Sequence, residues 1–502
     1  MRRRTIGNDL AVNLLIPLIP MVVAVIAVPV YIALIGLERF GILSFVWLLT
    51  GLFALFDPGL GTATNRAVAQ RGDAPPTALG NLLAAALLSN LVLGMGLAAL
   101  FLWPIGPLAF ASLTMSEAVR GELMGAMPSV ALLLPAVLLD SVLRGAAEGR
   151  RAFIATNTIQ CLGQVGATVG ALGVAALVSP RLDGLIAAIV AARLATTLAL
   201  LGLNAPLLSR ARAVDVKGLL GLLRFGGWTA AFHTLSLALS SLDRFVIASL
   251  SGSITLALYT IPYSLVQRSQ VVAHAVTRTL FPHLCACENT AERRTMAARM
   301  MAATLGALGT VCVPAVVMMD TVMTAWLGAA LGAKVAPVAT LLTLAFWVVA
   351  GVRTIHVYLI ASGTPERAAL LRLWLALPFA LTLGVLVAMF GATGAAIALL
   401  TWWSAEFLVG AVWAKLTTAA RRCALPWLPL WLAAFVMAAM DPGVFGALCG
   451  AFVLGIGAAA LALRQSSDLR RFAGQAMAKG WLALQRHHGA RFRGATSERP
   501  SP

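Results

Sequence analysis

Fourteen runs of predominantly apolar residues succeed one another along this chain, and they leave few folds open to it. They lie at 11–36, 40–64, 79–103, 123–147, 152–178, 182–208, 222–250, 255–281, 297–327, 335–362, 367–390, 392–418, 426–440 and 443–463. About 20 apolar residues cross the hydrocarbon core of a bilayer as a helix. Hydrophobic residues make up 60% of the chain and charged residues 11%, with a mean hydropathy of +0.90. A soluble domain cannot bury that much apolar surface. Inside lipid, backbone groups must be satisfied within the segment or in a closed barrel, and runs of this length select helices. The expected fold is all-α, a polytopic membrane protein of about 14 transmembrane helices.

The basic loop SRARAVDVKG divides the runs into a first six and a comparable second six. This predicts a six-helix lobe at 1–210, a second at 211–420, two additional peripheral helices at 421–463 and a basic, partly disordered tail at 464–502. Each set opens with a hairpin whose outer turn is marked by glycine, IGLERFG in one and SLSGSIT in the other. Each then continues into a helix with an arginine at its inner end, Arg66 and Arg278. Six is even, so both sets start on one side, as a parallel repeat.

The net charge of +18 reads as topology rather than as nucleic-acid binding. With the N-terminus inside, only Arg39, Arg120, Arg181 and Lys334 fall in outer loops. Arg193, Arg244, Arg268, Arg278 and Arg353 fall within runs, and the remaining Lys and Arg residues, Arg372 among them, lie on the inner side, in loops, at the inner ends of runs or at the two chain ends. That bias predicts cytoplasmic termini on both ends. Arg2, Arg3 and Arg4 before an apolar run resemble a signal peptide, but the run is long and reads as an uncleaved first helix. The first run also carries Pro17, Pro20 and Pro29 and is expected to bend. The cysteines form no disulfide framework, and Cys285-x-Cys287 lacks companion ligands at zinc spacing. No metal site, cofactor motif, Walker loop, GxSxG or HExxH stands in the sequence. No outer loop is long enough for a glycosyltransferase site, the widest being roughly 104–122.

The eighth run is too polar to face lipid all round. At 100° per residue, Tyr259, Tyr263, Gln267, Gln270, His274, Thr277 and Arg278 share an arc of about 100°. Such a stripe faces either a wet cavity or neighbouring helices through hydrogen bonds. Arg268 lies off the stripe near mid-depth. A charged side chain left in lipid costs roughly 2.5–3.5 kcal/mol; snorkelling relieves Arg278 and Arg353 but not Arg193 or Arg268. Guanidinium forks grip phosphate oxygens in pairs. Arg193, Arg244, Arg268 and Arg353, with Tyr263, Gln267, Gln270 and His274, are therefore the candidate substrate-binding residues. Asp57, Asp243, Glu406 and the outer-turn pair Glu38 and Arg39 are candidates for ion coupling or gating. Asp57 also reads as a structural partner for an arginine. Asp140 and Arg144, at i and i+4, read as a structural ion pair, and Asp243 as a stretched partner of Arg268. His356 and Glu406 also read as buried, hydrogen-bonded residues.

The segments PVYIALIGLERFGILSF and DPGLGTATNRAVA resemble the opening of bacterial polysaccharide flippases of the multidrug/oligosaccharidyl-lipid/polysaccharide exporter superfamily. RFGGWTAAF, SLDRFVIASLSG, LYTIPYSLV, LFPHL and LIASGTPERAALLRL extend the resemblance over roughly residues 8–420. It implies two six-helix lobes around a central cationic cavity, working by alternating access in the inner membrane. It also implies a lipid-linked oligosaccharide on a polyprenyl pyrophosphate, destined for exopolysaccharide, capsule or O-antigen. Nearby tryptophans suit sugar ring faces. H+ or Na+ as coupling cation, membrane lipids, and a polysaccharide polymerase and co-polymerase are the further partners it brings in. A cation-coupled multidrug exporter of the same superfamily and a polymerase or ligase acting on the same carrier are the alternatives.

Overall fold

The computed structural model describes residues 18–70, 75–213, 218–223, 241–274, 289–440 and 442–471, with isolated positions between and beside these ranges. Arg278, Cys285, the RFGGWTAAF segment, Pro17 and the tail beyond 474 lie outside the described residues. Every regular element among the described residues is helical. In chain order they are α1 (Leu18–Phe53), α2 (Leu60–Gln70), α3 (Pro76–Leu100), α4 (Gly106–Ala111), α5 (Glu117–Gly149), α6 (Phe153–Leu177), α7 (Leu182–Leu208), α8 (Leu242–Leu250) and α9 (Gly252–Val266). There follow α10 (Thr290–Leu327), α11 (Ala329–Ala361), α12 (Pro365–Trp413), α13 (Thr417–Ala424), α14 (Leu428–Ala439) and α15 (Gly443–Gln465).

Ten helical stretches among the described residues are long and apolar enough to cross a membrane, which makes this a multi-pass membrane protein. Ten is fewer than fourteen, and two of the stretches account for part of the difference by folding back on themselves. In a straight helix Tyr31 and Trp47 would stand about 24 Å apart at 1.5 Å per residue, yet their ring centroids are 5.9 Å apart. The reversal is at Gly36, whose φ of 77° and ψ of 167° are open to glycine. Helix α12 reverses likewise at Gly391, at φ 56° and ψ −128°. Beyond it, a Cβ on Gly394 would overlap the Leu386 carbonyl. These are the boundaries between runs one and two and between runs eleven and twelve. The bend of the first helical pair therefore comes from Gly36, with Pro29 accommodated inside the helix.

The chain divides into two compact units, Met1–Ile261 with Pro378–Ala398, and Pro262–Leu377 with Leu399–Pro502. In the first, α5 is central, packed by α2, α3 and α7, and α6 bridges α7 and α1. Leu60, Leu82, Leu83, Val142 and Ala146 form one of its apolar clusters. This unit also gathers turns that the sequence places on the outer side. Thr114 N–H donates to the Ala248 carbonyl at 3.3 Å, its hydroxyl donates to the Ser249 carbonyl at 3.0 Å, and its carbonyl accepts from Ser253 N–H at 3.1 Å. The Ser251 hydroxyl reaches the Val387 carbonyl. Gly41 crosses Ser253 so closely that a Cβ would overlap the Ser253 carbonyl oxygen, and Phe45 meets Phe245 edge-on at 5.0 Å.

In the second unit α10 is central, packed by α11, α14 and α15. Met300, Leu305, Val313, Trp347, Ile355, Trp427 and Trp431 belong to its core. Trp427 fills the groove opened by Gly309 and donates from Nε1 to Gln465 at 3.0 Å. Trp347 donates to the Leu305 carbonyl at 3.0 Å. The last two apolar helices are joined to the core through one face of α10. Their other faces keep Leu432, Phe445 and Phe452 exposed, as lipid contact requires.

Candidate functional site

The membrane-spanning helices contain charged groups, and the structure assigns several of them partners. In the first unit Asp140 on α5 is fully buried, with 0% of its side chain exposed. Arg193 on α7, 23% exposed, places Nη2 at 2.8 Å from its Oδ2. Gln160 on α6 donates to Oδ2 at 3.3 Å and the Thr197 hydroxyl to Oδ1 at 3.4 Å. This corrects the expected i,i+4 ion pair: Arg144 donates from Nε to the Asp140 backbone carbonyl at 3.4 Å, and the carboxylate belongs to Arg193. Helical spacing puts residues four apart near one another, but it carries no information about a third helix. Arg193 thus has a built-in counter-ion. Its Nε remains buried without a hydrogen-bond partner.

The outer-turn pair forms fasteners within this unit. Arg39 forks Glu122 through Nε at 2.9 Å and Nη2 at 2.7 Å, while Glu122 also accepts from Leu182 N–H at 3.0 Å. Glu38 accepts from the backbone and hydroxyl of Ser116, at 2.7 and 3.0 Å. Each carboxylate thereby joins α1 to the N-terminal end of another helix, where free N–H groups favour negative charge. Asp57 does the same for α2, accepting from Leu60 N–H at 3.1 Å, from Asn90 at 3.4 Å and from the Ser141 hydroxyl at 2.5 Å. Its structural partners are thus hydroxyl, amide and backbone groups, where the sequence reading offered an arginine. Asp243, almost wholly buried, accepts from the Tyr259 hydroxyl at 2.6 Å and lies 3.8 Å from Arg244 Nε.

The polar stripe of the eighth run does not continue as one ideal helix. A 3₁₀ turn at Gln267–Ser269 interrupts it, so 100° per residue fails beyond Val266. Tyr259, Tyr263, Gln270 and Thr277 are buried, while Gln267 and His274 are exposed. Gln270 donates to the Phe346 carbonyl at 2.7 Å, and the Tyr263 ring packs on Phe346 at 5.2 Å. Arg268 is half-buried in the 3₁₀ turn, with Nε lacking a hydrogen-bond partner.

The second unit brings together residues that the sequence treated separately. Arg353 Nη1 lies 3.1 Å from His274 Nδ1. One turn on, His356 Nε2 lies 3.0 Å from Glu406 Oε1, and Arg372 on the first arm of α12 reaches the same oxygen through Nε at 3.0 Å. Glu406 is 0% exposed and Arg372 is 25% exposed. Arg372 is within electrostatic reach of Arg353. The sequence reading left Arg372 at the inner end of a run. Its signal was the spacing of LLRLWL, which sets a lone arginine among lipid-compatible residues. Among the described residues no group of three or more His, Cys, Asp or Glu could hold a metal.

The sequence profile described as "Polysaccharide biosynthesis protein" matches residues 30–340. No curated protein matches the chain significantly. Among solved structures, the lipid II flippase MurJ in an inward closed conformation superposes with a TM-score of 0.72 at 11% identity, covering 92% of this chain and 99% of that one. An inward-facing multidrug-resistance MATE transporter of the MOP superfamily gives 0.65 at 16% identity, covering 82% and 99%. A MOP superfamily transporter from Pyrococcus furiosus gives 0.50 at 13%, covering 82% and 94%. At such low identity the likeness is one of fold, an all-helical, multi-pass membrane architecture. The profile match extends over more than half of the sequence, and this chain belongs to the polysaccharide biosynthesis protein family.

Proposed function

We propose that this protein is a flippase that carries a polyprenyl-pyrophosphate-linked oligosaccharide across the bacterial inner membrane by alternating access, with both termini cytoplasmic. The observation that carries the reading is the set of arginines held inside membrane-spanning helices, of which Arg193 and Arg372 are tethered to fully buried carboxylates. An arginine there is costly unless paired, and a guanidinium that is tethered and still partly exposed can meet an arriving phosphate oxygen. Family membership points to surface polysaccharide synthesis, and the fold is shared with a lipid II flippase. In this reading the chain moves its substrate and performs no covalent chemistry. Arg193 and Arg244 in the first unit and Arg268 and Arg353 in the second are the groups for the pyrophosphate, and the exposed Gln267 and His274 are those for the sugars, with Tyr263 and Gln270 buried against Phe346 behind them. H+ or Na+ supplies the driving force through a membrane carboxylate, and the glycan passes to a polymerase with its co-polymerase.

Deleting the gene in a strain that makes a surface polysaccharide tests this. The lipid-linked repeat should accumulate at the cytoplasmic leaflet while surface polymer is lost, and the wild-type gene should restore both. Loss of polymer with no accumulated intermediate would place the protein elsewhere in the route. Reporter fusions at Gly252 and Gly391 should behave as periplasmic, and those at Asp215 and Arg421 as cytoplasmic. One clear reversal overturns that topology.

A further inference from the structure

Inside the membrane-spanning part of the second unit, Glu406 holds Arg372 and His356, and Arg353 lies one helical turn from His356. Glu406 engages Arg372 side-on, through Nε. That bond uses Nε and leaves the two terminal nitrogens for an anion, and guanidinium forks bind phosphate oxygens in pairs. Arg353 adds a second positive charge within electrostatic reach, and its Nε is buried with no hydrogen-bond partner. Glu406 Oε2 is also buried without a donor. Among the described residues, His274 stands against Arg353 and His356 against Glu406. Arg372 and Arg353 lie about 11–12 Å along their helices from Pro365 and Ala361 respectively, at 1.5 Å per residue, so the two charges sit at similar depth. With neutral histidines the group carries one surplus positive charge. The first unit differs, since Asp140 takes a terminal nitrogen of Arg193 and Arg144 donates to a backbone carbonyl.

We infer that Arg372, with Arg353, forms a binding site for a phosphate-bearing lipid headgroup, and that Glu406 is its positioning residue and competing counter-ion. Glu406 holds Arg372 in place when the site is empty and competes with the arriving phosphate for it. That competition keeps binding reversible, which a transport site requires. Glu406 here serves anion binding and release, in place of ion coupling. The inference rests on the flippase reading for its physiological ligand, but not for its chemistry.

The test uses the full-length protein in nanodiscs, titrated with undecaprenyl pyrophosphate in one series and with phosphatidylglycerol in another. Arg372→Ala should weaken pyrophosphate binding by about tenfold or more, the scale of one charge-assisted hydrogen bond, and Arg372→Lys should recover part of it. Glu406→Gln keeps the shape and removes the competing charge, so binding should tighten severalfold while transport slows, with KM and kcat falling together. A merely structural carboxylate would not tighten binding when neutralised. If Glu406→Gln fails to fold, the Arg372→Ala and Arg372→Lys titrations decide alone. Unchanged affinity in Arg372→Ala overturns the inference, as does Glu406→Gln binding no tighter than wild type. Equal loss of phosphatidylglycerol binding would assign the site to bulk anionic lipid and overturn the carrier assignment. If pyrophosphate binds through Arg372 but no lipid-linked sugar is translocated, the flippase reading fails and the site stands. Translocation that ignores Arg372 gives the reverse.

Discussion

Arg193 shows what a charge inside a membrane-spanning helix requires. It pairs with Asp140 at 2.8 Å, and Gln160 and Thr197 donate to the same carboxylate. Breaking a buried pair costs more than the pair contributes, because the remaining charge is stranded. With its guanidinium 23% exposed, Arg193→Ala should cost about 3 kcal/mol, the lower end of that range, seen as reduced accumulation and a lower melting temperature. Adding Asp140→Asn should restore most of the loss. If Arg193→Ala is as stable as wild type, Asp140 is not its counter-ion. Asp57 gives a second residue-scale prediction. Its carboxylate caps α2, and asparagine caps helices equally well, whereas alanine costs ~1 kcal/mol. Asp57→Asn should keep export near the wild-type level and Asp57→Ala should lower stability. Loss of export in a stable Asp57→Asn protein would return Asp57 to an ion-coupling role.

At the scale of elements, reversal and crossing depend on small residues. The turns at Gly36 and Gly391 divide two long apolar stretches into antiparallel arms, and Gly41 lets α1 meet the Ser253 backbone. Thr114 brackets the same turn with three hydrogen bonds. We expect Gly41→Val to push this contact apart and expose the outer turns. A cysteine at Ser249, in a cysteine-depleted background, should then react several times faster with a membrane-impermeant thiol reagent added outside. An unchanged labelling rate would show that the Gly41 crossing does not hold the turns closed. The same scale shows where sequence reasoning reached and where it stopped. Glycine-marked turns and apolar run lengths were legible because each is local. The stripe of the eighth run was not, because its arc assumed a uniform helix and a 3₁₀ turn intervenes. The Asp140–Arg193 and Glu406–Arg372 pairs were hidden for a different reason. Each joins separate helices or helical arms, and spacing along one segment says nothing about its neighbour.

For the molecule as a whole, the run lengths led to an all-helical, multi-pass protein, and the polysaccharide-type segments pointed to the family whose profile it matches. Within the first unit the arginine is tethered between different membrane-spanning helices, and within the second between the two arms of α12. Transport that depends on these charges should be lost stepwise as they are removed. The central claim is translocation of a lipid-linked oligosaccharide, and reconstitution measures it without other cellular parts. Purified protein in proteoliposomes, loaded with a fluorescent polyprenyl-pyrophosphate oligosaccharide, is exposed to a glycosidase or quencher confined to one side. The account predicts protein-dependent exchange of the labelled headgroup between leaflets, reduced at least about tenfold by Arg372→Ala. Exchange no faster than in protein-free vesicles, with the protein folded and driven by an H+ or Na+ gradient, would contradict it.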